Sequence, residues 1–272
     1  MATKSSQPSK DLIRIVRAYQ GVSADMRNRI EQFVTRKWQS LPNYRDDDIK
    51  QLMKAVVPMV EGGQKRMSSM TDAYLLAVAR ANGVKKSKSG KLVTSVKDVR
   101  GVPADEVYIR PGKAVYVSLS KGNNFEDAKH AGLNRLISLA MTDLQLAKTH
   151  TVRNFGMSNG GVVGYERVID GHRDCALCIV ASTQRYHKED LMPIHPGCGC
   201  DVQPLYGEFD PGQVIHEDRL SDIHDKVQEE LGVSDASAHS PEYSKLLVVR
   251  EHGELGPLLT IKGQNFTGPS DI

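Results

Sequence analysis

All four cysteines of the chain lie in one window, CALCIVASTQRYHKEDLMPIHPGCGC, from Cys175 to Cys200. Their spacing is C-x2-C, nineteen intervening residues, then C-x-C, with His195 three positions before Cys198. A C-x2-C on a tight turn aims two thiolates at one point, and a second pair returned by a hairpin completes a tetrahedron. Zn²⁺ takes four such sulfur or nitrogen ligands at about 2.0–2.3 Å. Pro193, Pro196, Gly197 and Gly199 favour the tight, non-helical return that a second ligand pair needs. Five groups compete for four places: Cys175, Cys178, His195, Cys198 and Cys200. Either all four thiols bind and His195 supports them, or His195 takes one place and a cysteine stands aside. Both sites are closed, with no position for a catalytic water. One structural zinc per chain is therefore expected, and no catalytic residue is assigned.

The competing uses of such cysteines have weaker support. Two disulfides would require a mature protein that ends up outside the cell. The first residues, MATKSSQPSKDLIRIV, lack the apolar run and small-residue cleavage site of a secretory signal. Synthesis in a reducing cytoplasm is expected, where paired cysteines hold metal more often than they form disulfides. A redox C-x2-C lacks its βαβ setting. No stretch approaches the roughly 20 apolar residues of a membrane span. No P-loop, G-x-G-x-x-G, H-E-x-x-H or G-x-S-x-G is present. His150, His172 and His187 read as ordinary polar residues.

A chain of 272 residues, 39% hydrophobic and 25% charged, is long enough for one or two cored globular domains. The net charge of +3 hides an asymmetry. Residues 1–130 hold 24 Lys and Arg against 13 Asp and Glu, whereas the remainder holds 12 against 20. The basic front half suits nucleic acid, an acidic protein surface or simply a solvated helical face.

Apolar spacing organises the rest. Leu12, Ile15, Val16 and Tyr19 fall at helical intervals, as do Met26, Ile30, Phe33, Val34 and Trp38. Gly21 and Ser23 read as a stop and a new N-cap between them. LPNYRDDD is a break whose aspartates suit the start of the next helix. Residues 49–60 and 70–82 read as two helices, with Pro58 ending or kinking the first. ANGVKKSKSGKLVTSVKDVRGVPADE is a basic, Gly- and Ser-rich linker. EVYIRPGKAVYVSLSKG reads as a short hairpin or extended arm turning at Pro111-Gly112. Residues 125–153 return to helix, VGYERVID and DVQPLYG are strands on either side of the cysteines, and 217–231 is a helix. DASAHSPEYS is linker-like, and the tail carries two strand-like runs around Gly253–Pro257. The expected fold class is α+β, mostly α. It has an N-terminal helical region (1–82), a basic linker and arm (83–124), a core with a long central helix and a small zinc-stapled β module (125–206), and an acidic helix with an extended C-terminal tail (207–272).

The segment DCALC…MPIHPGCGCDVQP resembles the cysteine motif of the Mu F-like minor head proteins of tailed bacteriophages. That family shows a C-x2-C pair, here Cys175 and Cys178. A His-Pro-x-Cys-x-Cys return follows, here His195, Pro196, Cys198 and Cys200, and then a downstream proline, here Pro204. The resemblance spans roughly residues 130–205. Gly199 stands where a basic residue is common, and Lys148-Thr149-His150 where the preceding helix often has an Arg-Thr-Glu-like triplet. What it implies is a non-enzymatic minor capsid protein, made in the host cytoplasm and placed inside the virion near the portal vertex. It would act in head assembly and in DNA packaging or delivery. The implied partners are the portal protein, the major capsid or scaffold protein, and packaged DNA met through the basic N-terminal half, with no membrane. Two other readings stand beside it. One is a zinc-stapled nuclease in which His187 activates water. The other is a zinc-finger regulator that binds nucleic acid, against which residues 165–206 carry only four Lys and Arg but six Asp and Glu.

Overall fold

The computed structural model describes residues 10–169, 175–191, 198–207, 220–232, 237 and 243–271. The expectations for the polar N-terminal residues, for most of the linker DASAHSPEYS, and for His172 and His195 lie outside the described residues.

The mostly helical α+β fold expected from the sequence is present. Helix α1 (Lys10–Gln39) runs unbroken through Gly21 and Ser23, which correct the expectation of two helices. Leu12, Val16, Tyr19, Ser23, Ile30, Val34 and Trp38 are buried along it at intervals that keep one face turned inward. Ser23 belongs to that face, with its hydroxyl directed at the Met67 sulfur, so it caps nothing. Gly21 is exposed, with open space where a Cβ would stand. Its cost to the helix is only backbone entropy. Gly21→Ala should therefore stabilise the protein by about 0.5–1 kcal/mol.

Helix α2 (Asp46–Ala81) likewise merges the two helices expected over 49–60 and 70–82. Pro58 neither ends nor divides it. The proline is exposed, as is Lys54 one turn back, while Val56, Val60, Gly63 and Gln64 stay buried on the other side. At the start of α2, Asp48 accepts from the backbone N–H groups of Asn43 and Arg45, and Asp46 and Asp47 share its first turn. The expected acidic N-terminus is thus present.

The end of the expected linker and the segment expected to be a hairpin or extended arm are both helical. After α3 (Val96–Arg100), α4 (Ala104–Tyr108) and α5 (Arg110–Ser120) follow one another, with Pro111 at the start of α5, where it costs no hydrogen bond. Val107, Tyr108, Pro111, Gly112, Val115 and Ser118 are buried, which is helical spacing, whereas Val117 and Leu119 are exposed. The alternation of Val115, Val117 and Leu119 imitates a strand because the inward positions of α5 are taken by small residues. Gly112 lies against Ile49, and a Cβ there would meet its side chain at 2.8 Å.

Helix α6 (Phe125–Ser158) is the axis of the molecule. Every residue from Leu139 to Thr149 is buried, so it is covered on all sides by α1, α2, the short helices α3–α5 and the β structure. Gly132 lets Trp38 and Val115 close on the helix, where an added Cβ would come within 2.4 Å of the indole. Gly132→Ala should cost about 1–3 kcal/mol. The opposite signs of Gly21→Ala and Gly132→Ala in thermal unfolding test the path of α1 against α6.

Strand β1 (Val162–Val168) is the centre of a three-stranded antiparallel sheet, flanked by β2 (Arg185–His187) and β3 (Asp201–Tyr206). Between β1 and β2 comes helix α7 (Ala176–Ser182). Helix α8 (Leu220–Leu231) packs on α7. Beyond it, β4 (Leu247–His252) and β5 (Gly256–Ile261) form an antiparallel hairpin, as the tail pattern suggested. Leu255 and Leu258 of this hairpin enter the main helical core, while Leu259 and Ile261 pack around the cysteines. Among the described residues, no helix is long and apolar enough to cross a membrane.

Candidate metal centre

Cys175 is the N-cap residue of α7 and Cys178 stands in its first turn. Positions three apart on a helix share a face, so both thiols project to the same side. The C-x2-C pair is therefore carried by a helix start, not by the tight turn expected from its spacing. Cys198 and Cys200 lie on the stretch that enters β3. In extended chain, alternate residues share a side. Gly199 is exposed between them, with open space around its Cα.

The two pairs converge. The Cys178 sulfur is 3.0 Å from that of Cys198 and 3.5 Å from that of Cys175, and the Cys198 and Cys200 sulfurs are 3.3 Å apart. Cys178, Cys198 and Cys200 are buried, Cys175 is half-buried, and all four are free thiols. The three buried sulfurs lie within 4.8 Å of one another and form a cluster capable of holding a metal ion. Four thiolates at about 2.3 Å from a tetrahedral ion would stand roughly 3.7 Å apart, so small outward shifts suit the donor set to zinc. His195 lies outside the described residues. His187 ends β2 with an exposed side chain, and its carbonyl accepts from the Asp190 N–H.

Sequence reading missed the positive charges around the sulfurs. Arg167, on β1, is fully buried, lies 5.2 Å over the Tyr186 ring, and donates from Nη1 to the Cys200 sulfur at 3.5 Å. Lys148, on α6, donates to Asp201 Oδ1 at 2.6 Å and to the Gly199 carbonyl at 3.0 Å. Arg27, on α1, donates to the Cys198 carbonyl at 3.3 Å. Nothing in the sequence pattern singles them out: the stretch that carries Lys148 also holds Asp143, Gln145, Thr149 and His150.

These groups set the protonation of the cluster. Hydrogen bonds from Cys178 and Cys198 hold Cys200 well below the ordinary thiol value against its burial, and Arg167 and Lys148 add to the effect. Hydrogen bonding with Cys175, Cys198 and Cys200, together with burial, pushes Cys178 up. Cys198 is drawn down by its bond with Cys178 but pushed up on balance by Cys200 and burial. A divalent cation held among these sulfurs would displace the thiol protons. Comparison with protein-family models, curated proteins and solved structures finds no match to this chain.

Proposed function

We propose that this chain is a zinc-stapled structural protein of the Mu F-like type, a minor component of a tailed-phage head that sits inside the capsid against the portal. The observation that carries the reading is the convergence of the C-x2-C pair with the C-x-C of the His-Pro-x-Cys-x-Cys return in one buried thiol cluster. One zinc held there, by four thiolates or by three with His195, would staple β3 and α7 together. Lys148 fastens the same site to α6 through Asp201 and Gly199. A Zn²⁺ with four thiolates carries two negative charges. Arg167, Lys148 and Arg27 supply three positive charges beside it and Asp201 one negative, which leaves two positive. That balance offsets the charge of a buried tetrathiolate site.

The portal protein and the major capsid or scaffold protein are the partners this reading entails, with packaged DNA meeting the basic front half. Mass spectrometry of gradient-purified heads from the phage or prophage that encodes the chain tests it. A few copies per portal in DNA-filled heads are expected. Absence from heads at every assembly stage would remove the reading.

A further inference from the structure

Between Asp72 and Asp98 the chain contains no acidic residue and six basic ones, Arg80, Lys85, Lys86, Lys88, Lys91 and Lys97, all exposed. None of the six makes an ion pair among the described residues. Such a run on a free loop would be a diffuse charge. Here its backbone is held down at successive points by side chains of the helical body.

Gly83, in the left-handed conformation, closes α2: its N–H donates to the Arg80 carbonyl while that of Val84 donates to Ala79. The Asn159 carboxamide, at the end of α6, clasps both backbone groups of Lys88, accepting from its N–H at 3.0 Å and donating to its carbonyl at 2.9 Å. Asp72 takes the Gly90 N–H, Asn154 donates to the Lys91 carbonyl, and Ser68 takes the Val93 N–H. Gly90 lies so close to α6 that a Cβ would stand 2.7 Å from the Phe155 nitrogen. With the backbone fixed at Val84, Lys88, Gly90, Lys91 and Val93, the segment presents the exposed side chains of Lys85, Lys86, Lys88 and Lys91 to solvent. Arg153, beside Asn154 on α6, adds another exposed cation.

We infer that this pinned loop, residues 84–91, is a binding platform for the phosphate backbone of duplex nucleic acid, read without regard to sequence. The choice of partner follows from what the loop lacks. Residues 82–106 contain no aromatic side chain, so there is nothing to stack on unpaired bases. Leu92 is the only large apolar side chain in the segment that is substantially exposed, and a specific acidic protein would want apolar anchors at the centre of its interface. Point charges on flexible stems, held by a fixed backbone, suit phosphates. The inference specifies where the proposed head protein would meet DNA, but the binding itself needs no other phage component.

The test is fluorescence anisotropy of the full chain with a labelled duplex of mixed sequence over a range of salt concentrations. Wild-type affinity should fall with salt at a logarithmic slope of about −4 or steeper. The variant Lys85→Gln/Lys86→Gln/Lys88→Gln/Lys91→Gln should flatten that slope by about 3.6 and weaken binding about 100-fold at moderate salt. A charge-matched control, Lys10→Gln/Lys54→Gln/Lys113→Gln/Lys121→Gln, should bind nearly as wild type. Equal losses in the two variants would mean that bulk charge alone matters, and would overturn the inference. So would wild-type protein that does not bind the duplex, or that binds polyglutamate as tightly, the latter pointing to an acidic protein partner. Zinc content measured on the same samples separates failure of this platform from failure of the zinc-stapled reading.

Discussion

Asp143→Ala is expected to lower the stability of the protein by about 3–5 kcal/mol, the usual penalty for stripping one partner from a buried ion pair. Asp143 is fully buried in the middle of α6. It accepts from Arg100 Nε at 2.5 Å and from the Tyr108 hydroxyl at 2.6 Å. Arg100 also donates to Glu254 at 2.9 Å, and Arg110 reaches the other oxygen of that carboxylate at 2.7 Å. Two arginines and two carboxylates thus balance in a nearly dry site that ties α3, α5 and α6 to the turn between β4 and β5. Burial pushes the Asp143 carboxyl up against the pull of Arg100 and of the Tyr108 hydrogen bond, so the pair holds only because its partners are in place. Removing the aspartate leaves Arg100 and Arg110 sharing one carboxylate and orphans the Tyr108 hydroxyl. Thermal unfolding should show a drop on the order of 10 °C. The double variant Arg100→Met/Asp143→Leu should recover a large part of it, because a pair removed together leaves no stranded charge. An Asp143→Ala protein that melts within a degree or two of wild type would show that the network carries no such load.

Cys178→Ser is the second large effect. Cys178 lies at the centre of the sulfur cluster, in contact with both Cys175 and Cys198. A hydroxyl in its place is a poor zinc ligand and an unmatched polar group among Ala176, Leu177, Ala181 and the tail residues Leu259 and Ile261. Elemental analysis should find about one zinc per chain in wild type and well under half of that in the variant. Far-UV circular dichroism should keep most of its helical signal, since the main core of α1, α2 and α6 does not include the cysteines. The β4–β5 hairpin, packed partly on the cluster, should become protease-sensitive. His195→Ala beside it decides the ligand set: retained zinc means four thiolates, lost zinc means that the imidazole is a ligand. Wild-type protein without metal, and as stable as Cys178→Ser, would remove the structural zinc.

Much of the fold is legible in local pattern. The cysteine pairs with their Pro- and Gly-rich return, the strands over 162–168 and 201–206, and the tail hairpin each announce themselves by spacing or by alternation over a few residues. The long central helix does so too, through Leu136, Ala140, Leu144 and Ala147. Breaks were the weak point. Gly21 and Pro58 are strong local signals, but the buried faces of α1 and α2 continue in phase across them, and packing against α6 outweighs roughly 1–3 kcal/mol of local cost. The segment around Pro111-Gly112 misled for the opposite reason: its apolar residues at 117 and 119 face water, while small ones pack inward.

The charges around the site were invisible in one dimension. Arg100, Asp143 and Glu254 are separated by 43 and then 111 positions, and Lys148 and Arg167 approach the sulfurs from different elements. Sequence by itself determined that the chain is mostly helical, with strands on either side of the cysteines and in the tail, and that four thiols would be drawn together, because those follow from side-chain period and ligand spacing. Tertiary structure alone decided where each helix ends and which charges are buried together. Both depend on burial against distant elements, where the loss of water makes every unmatched group expensive.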